Sequence, residues 1–374
     1  MRLLSWTLWT LGTALWLGAA ALFTAWAFGR IVTDRWAWSQ YLFWIPSIFC
    51  IPASAAALPL AVALRAWARR LRIGTFAPGP REKKLAALGL AAVALAAGGV
   101  AIFEYRWLSP RPEPALRTFR AMHWNASDRL GTEWDLRIAD QEPDLLVINP
   151  GSYQPWDRLL ERTPHLGAPI WGPSFFILTR HRALRTGSTM LSIDPGAGID
   201  PRDPEHLVRR TDHGRAMFLE LDTRALLGRT LIVWCLDLPS DISLPRRRVT
   251  EQAAEAIAAF HGPVRVLGED GVYAEQTPQA RGFPPPDLIL GDMNIPRGSL
   301  SLTRLAGNCT PAFDQAGSGP SATWPYENPV YHLDQMFIAP WLRAVDYRAV
   351  DLAGGTHRAQ RADLAPRASG TLAP

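Results

Sequence analysis

Three apolar stretches, Thr7–Gly29, Tyr41–Leu64 and Leu85–Phe103, fill the first third of the chain, and none contains a charged residue. Each is about long enough to cross roughly 30 Å of hydrocarbon as a helix. Trp6, Trp9, Trp26, Trp36, Trp38, Trp44, Trp67 and Trp107 crowd their ends, as expected at headgroup depth. The first run is too long for a cleaved signal peptide, and two more spans follow it. The pattern then changes. Ser109–Pro114 (SPRPEP) reads as a stiff, proline-punctuated linker, which divides the chain into a membrane domain (1–109), a linker (110–115), a globular domain (116–365) and a tail (366–374) expected to be disordered.

In the globular domain short strand-like runs recur at Leu116–Trp124, Asp144–Asn149, Phe175–Thr179, Ala216–Leu221, Thr230–Leu238, Val264–Leu267, Asp287–Leu290, Gln335–Ala339 and Arg348–Leu352. Helical spacing is clearest at Arg247–Phe260, with shorter candidates at Asp128–Asp140 and Gln154–Glu161. Many strands with few helices between them predict an α/β domain of packed sheets flanked by helices rather than a doubly wound parallel sheet. The polar, Gly- and Pro-rich segments 195–215 and 307–331 read as loops.

Charge sharpens the division. The chain has a formal net charge of +5, yet residues 1–109 hold 11 Lys and Arg against three Asp and Glu, which leaves the rest slightly acidic at −3. The basic excess therefore belongs to the membrane part, and a globular domain without clustered positive charge is a poor nucleic-acid binder. Arg65, Arg69, Arg70, Arg72, Arg81, Lys83 and Lys84 against Glu82 alone mark the 65–84 loop as cytoplasmic. The N-terminus is then inside and everything after Phe103 outside, facing the periplasm or cell exterior from an inner (plasma) membrane. There Cys235 and Cys309 would meet oxidising conditions and could pair. A chain with only two lysines among 39 basic residues and many alanines fits a high-GC bacterial genome.

The chain has no GxGxxG, Walker A, HExxH, CxxC or GxSxG motif. What remains is a set of Asp, Asn and His residues at strand ends. In Asp287–Ile295 (DLILGDMNI) an apolar strand runs into Gly291 and then presents Asp292 and Asn294. Such a turn can hold a carboxylate and an amide toward a ligand, or merely bond its own backbone. In His332–Ala339 (HLDQMFIA) Asp334 opens a strand, and in Gly354–Ala362 (GGTHRAQRA) His357 precedes another. On neighbouring strands the carboxylate would fix the imidazole's tautomer and raise its basicity. Asp212-His213 (TDHG) reads as a loop.

The order of these pieces resembles the endonuclease/exonuclease/phosphatase superfamily. GDMN is similar to its GD-x-N signature, and HLDQMFIAP followed by GGTHRAQ to its closing Asp strand and His turn. TFRAMHWNAS, ending near Asn125, resembles the opening strand; EPDLLVINP, FFILTRHRAL, TLIVWCLDLPSD and the TWP at Thr323–Pro325 follow in the family's order. The resemblance spans about residues 116–365. It implies a four-layer α-β-β-α sandwich, two packed mixed sheets between helices, and phosphoester hydrolysis dependent on Mg²⁺ or Mn²⁺. It also implies roles. Asn125 and Asn294 would hold a phosphate oxygen or the water, and Asp292 would orient or deprotonate that water. His357, held by Asp334, would stabilise charge on the phosphate. Asp237 stands where a phosphate-contacting His is expected, and Asp292 is the candidate metal ligand.

The chain departs from the pattern where the second strand ends in Asn149-Pro150 instead of a metal-binding Glu, and where Thr356 replaces an acid before His357. Mg²⁺ favours carboxylates, so these losses deplete the cage. Two functions follow: a membrane-anchored phosphoesterase acting outside the cytoplasm on a lipid head group, a nucleotide or, less favoured, nucleic acid; or a catalytically degenerate binding or sensing module. A transporter is disfavoured, since the spans carry no intramembrane charge.

Overall fold

The structure is a computed structural model that describes residues 1–73, 79–110, 112, 114–115, 117–127, 130–150, 155–191, 193, 214–278 and 280–367, with Ser127 as backbone only. It divides into two compact units, Met1–Leu108 and Ser109–Pro374.

The first unit holds three helices long and apolar enough to cross a membrane: Arg2–Val32, Ser47–Ile73 and Pro80–Gly99, the last continuing through a π turn at Val100–Glu104. All three extend beyond the predicted spans, because intrahelical hydrogen bonds do not stop where the hydrocarbon does. The second span also shifts: its predicted start lies in a separate short helix, Ser39–Phe43, and the long helix begins only after Pro46, since a residue before proline is driven out of the helical region. At one end of the unit Ser47 Oγ accepts from Arg30 (2.9 Å) and Trp26 (3.1 Å) and donates to Glu104 (2.6 Å). At the other, Arg65 and Arg69 pair with Glu82 and Arg72 reaches Ser5.

The second unit is the four-layer α/β sandwich. Its strands are β1 (Phe119–Ser127), β2 (Leu145–Pro150), β3 (Ile170–Gly172), β4 (Phe175–Thr179), β5 (Ala183–Leu191), β6 (Gly214–Leu221), β7 (Leu231–Asp237), β8 (Val264–Leu267), β9 (Tyr273–Gln276), β10 (Leu288–Asp292), β11 (Thr310–Pro311), β12 (Asp334–Ile338), β13 (Leu342–Val350) and β14 (Ala359–Pro366). They form a six-stranded sheet, β13-β14-β1-β2-β4-β3, and an eight-stranded sheet, β11-β12-β10-β7-β6-β5-β8-β9. Both are mixed: β1 runs parallel to β2 and β7 to β10, and the remaining strand pairs are antiparallel. Helices Trp134–Ala139 and Trp156–Arg162 carry residues of the outer layer on the six-stranded sheet, where Trp134, Ile138 and Leu159 pack with Met122, Trp124 and Leu146. Helices Arg246–Ala259 and Leu300–Ala306 cover the eight-stranded sheet through Val249, Ala253, Ile257 and Leu302.

Several strand bounds differ from the sequence pattern. β13 starts at Leu342 instead of Arg348, β5 falls outside the predicted runs, and β14 is the strand expected after His357. Of the Asp128–Asp140 helix, residues 128–129 lie outside the described residues, and the rest is helical only over Trp134–Ala139. Residue 116, Asp212-His213 and most of the 195–215 loop lie outside the described residues. Cys235 and Cys309 are both free and buried, one between the sheets and the other under the outer helices; the pairing considered from their location does not form.

Candidate active site

Strand alternation builds the site. On β1, Phe119 and Ala121 face the opposing sheet while Met122 and Trp124 face the outer helices. The same period of two brings His123 and Asn125 to the inner face. Leu145 and Val147 lead likewise to Asn149 on β2, Val233 and Cys235 to Asp237 on β7, and Leu288 and Leu290 to Asp292 on β10. On β12 the inner row opens with Asp334 and continues through Met336 and Ile338. At one end of the strands the interior thus changes from apolar to polar without leaving the sandwich.

Register sets the polar residues side by side. Asp292 is paired with Asp334 on one flank and Asp237 on the other, and Asn125 with Asn149 in the facing sheet. Asn125 Nδ2 donates to Asp292 Oδ2 at 2.8 Å, bridging the sheets. Asp292 Oδ1 accepts from the backbone N–H of Asn294 at 2.9 Å. Gly291 permits this, since its φ is +148° and a Cβ would overlap the Leu236 backbone of β7. Asn294 itself sits at φ +49° and donates its side-chain amide to Leu238 O at 2.8 Å, so that nitrogen fastens the turn to the end of β7.

His357 Nδ1 is 2.7 Å from Asp334 Oδ2 and 3.8 Å from Asp292 Oδ2. The carboxylate–imidazole contact forms, but not between neighbouring strands: β12 belongs to the eight-stranded sheet, and His357 precedes β14 of the six-stranded one. Thr323, from the TWP segment, accepts the backbone N–H of Asp334 at 3.3 Å. Gly355, at φ +89°, opens the turn that carries His357, whose carbonyl accepts from Trp124 Nε1 at 3.1 Å.

Burial dominates the electrostatics. It raises the Asp292 carboxyl above the usual range against the opposing pull of His357. It would raise Asp334 too, but His357 outweighs it and the carboxyl is held below the usual range. On His357 burial opposes charge, and Asp334, Asp292 and Asp237 overcome it, pushing the imidazole up to about 9.

Asp292, Asp334 and His357 each offer one ligand atom, all within 4.8 Å of one another. Asp334 Oδ1 is buried without a hydrogen-bond partner among the described residues, an acceptor of the hard type a divalent cation uses. His357 Nδ1 is committed to Asp334, so the two carboxylates are the donors that fit a cation.

Behind these lie residues the sequence reading passed over. His123 Nε2 is 2.8 Å from Asn149 Oδ1, and Gln360, Tyr347 and His332 extend the polar interior further. Counting two residues back from Asn125 places His123 on the same face.

No protein-family model matches the chain, and no curated protein matches its sequence. Among solved structures it is similar to an endonuclease/exonuclease/phosphatase from Bacteroides vulgatus, with 14% identity over 67% of this chain and 99% of that one and a TM-score of 0.44. It is also similar to a mannosyl-6-phosphatase from Bacteroides thetaiotaomicron, with 13% identity, 66% and 99% coverage and a TM-score of 0.44. TDP2 from Caenorhabditis elegans aligns with 14% identity over 84% of this chain and 93% of that one, with a TM-score of 0.40.

Proposed function

We propose that this protein is a membrane-anchored phosphoesterase whose globular unit hydrolyses phosphate esters outside the cytoplasm. The observation that carries this reading is the convergence of Asn125, Asp292, Asp334 and His357 from two sheets into one buried hydrogen-bonded group. Apolar packing supplies no reason to gather two carboxylates and an imidazole there, whereas phosphoryl transfer needs a positioned water and charge stabilisation.

In this reading Asp292, fixed by Asn125 and by the N–H of Asn294, orients or deprotonates the water. A bond forms from that water oxygen to phosphorus, the bond from phosphorus to the ester oxygen breaks, and the proton lost by the water ends on the leaving oxygen to give the alcohol. His357, anchored through Nδ1 by Asp334, has Nε2 left to meet a phosphoryl oxygen. A divalent cation held by Asp292 and Asp334 would supply Lewis-acid polarisation of the phosphate. Three membrane-length helices bring lipid head groups within reach, and a net −3 globular unit favours these or nucleotides over nucleic acid. The basic 65–84 loop supports a cytoplasmic side for that end and an external globular unit.

The test uses the full chain in detergent micelles with p-nitrophenyl phosphate and its bis ester, with Mg²⁺ or Mn²⁺. Turnover lost in both Asp292→Ala and His357→Ala supports the reading. Turnover that survives both, or none in the unaltered chain with any of these additions, refutes it and leaves the binding module.

A further inference from the structure

One line of hydrogen bonds crosses the sandwich interior and ends at an atom with nothing to bond. Tyr347 OH donates to Gln360 Oε1 at 2.6 Å and must therefore accept from His332 Nε2, 3.0 Å away. That fixes His332 Nδ1 as the acceptor for Ser321 Oγ at 3.0 Å. On the other side Gln360 Nε2 can only donate, so His123 Nδ1 accepts at 3.3 Å and His123 Nε2 carries the proton toward Asn149 Oδ1 at 2.8 Å. Every link from Ser321 to Asn149 points the same way, and all six residues are buried. Such a chain polarises its members cooperatively.

The chain ends on the Asn149 amide. With its Oδ1 accepting from His123, the Asn149 Nδ2 is left buried with no partner among the described residues. A buried N–H without an acceptor is costly, and an amide nitrogen is no ligand for a cation. Asn149 is the register partner of Asn125, whose own amide contacts Asp292. The Nδ1 of His123, which holds it, stands 3.5 Å from Asp334 Oδ1. The orphaned donor therefore belongs to the same polar end of the strands as the carboxylates and His357.

We infer that Asn149 is a substrate-binding residue, donating from Nδ2 to a non-bridging oxygen of the phosphoryl group, with His123, Gln360 and Tyr347 as the positioning residues that hold it. The inference rests on the phosphoesterase reading for the site and adds a donor where the sequence resemblance implies a metal-binding carboxylate.

The experiment measures inorganic phosphate binding by calorimetry and p-nitrophenyl phosphate kinetics, on the full chain in detergent micelles. Asn149→Asp keeps the shape and removes the donor; Tyr347→Phe keeps the ring against Phe313 and breaks the line in its middle. One hydrogen bond to an anion corresponds to roughly 10- to 100-fold in affinity. Asn149→Asp is expected to weaken phosphate by that factor. Tyr347→Phe is expected to weaken it less, raising KM more than it lowers kcat. Phosphate affinity unchanged in Asn149→Asp overturns the inference, as does tighter Mg²⁺ binding in that variant with phosphate binding intact. Should Asn149→Asp fail to fold, unchanged KM and phosphate affinity in Tyr347→Phe overturn it instead. Failure of the phosphoesterase reading shows separately, as turnover insensitive to Asp292→Ala.

Discussion

Leu290 and Asp292 lie two residues apart on β10, face the same way and are buried to nearly the same degree; Ala121 and His123 repeat the contrast on β1. Yet the first of each pair belongs to a core and the second to a candidate active site. Burial does not separate them. What differs is how burial is tolerated: apolar groups gain from leaving water, at about 25 cal/mol per Å², whereas buried polar groups persist only where partners offset their desolvation. Mutation should therefore dissociate stability from chemistry along a single strand.

The largest effect is expected at Asp292. Asp292→Asn keeps the shape and removes the ionisable oxygen, and loss of general-base assistance lowers turnover by about 10²- to 10⁴-fold. Because burial raises this carboxyl above its ordinary range, neutralising it should leave the melting temperature of the globular unit unchanged or higher. Initial rates and thermal unfolding on one preparation check both halves; a rate within a few-fold of the unaltered chain would sink the assignment.

Leu290→Ala is the mirror case. Its side chain lies between the sheets, and removal should cost about 2–5 kcal/mol while turnover per folded molecule stays constant. Chemical denaturation followed through tryptophan fluorescence measures the first, and active-site-normalised rates the second.

A smaller effect, shared by both properties, is expected at Gly355. A Cβ there would come within 2.7 Å of Trp124 Nε1 on a backbone at φ +89°, and Trp124 in turn holds the carbonyl of His357. Gly355→Ala should cost about 1–3 kcal/mol in backbone strain and lower kcat through a displaced imidazole. A variant that keeps kcat would show that His357 is placed by Asp334 alone.

How much of this contrast was legible follows from the kind of information each feature needs. Asp292, Asp334 and His357 stood out because turn residues interrupt apolar runs, a local signal, whereas Asn125 was reached only through the resemblance of its strand to the family's opening strand. Which sheet each strand joins is not local: Asp334 and His357 meet across the sandwich and not on neighbouring strands, the condition on which their contact was expected. β5 escaped because Arg185, Thr186, Ser188 and Thr189 give it the composition of a loop, while its pairing with β6 makes it a strand. His123 and Gln360 required counting alternation from a neighbour already singled out, and His332 and Tyr347 matter only through contacts between strands. The three helices of membrane-crossing length were readable from length and hydropathy, but the break at Pro46, not the apolar run, sets where the second helix begins.

The smallest predicted effect tests the polar half as a unit, through acid. His332 is buried between Ser321 and Tyr347, and burial, helped by Arg297, pushes it down to about 3 from an ordinary value of 6.5. Its folded form thus binds a proton less readily than its unfolded form. The stability it confers is complete above about pH 6.5 and declines as pH falls from there toward 3. His123, also lowered by burial, acts in the same direction. Asp334, held below its ordinary 3.8, adds its loss only at more acid values. Between pH 7 and 5.5 His332 and His123 should together remove on the order of 1–3 kcal/mol, about 1.4 kcal/mol per pH unit for each proton taken up, partly offset by His357, whose raised value makes its folded form the tighter proton binder. Denaturation midpoints across this range should fall in the unaltered chain and fall less in His332→Gln. The Leu290→Ala variant should instead show a uniformly lower curve with the same pH slope, since its register partner Cys235 is kept by burial from ionising anywhere near this range. Equal slopes in all three proteins would mean that the polar interior opens to water before the fold does, and that the two halves of the sandwich are not one cooperative unit.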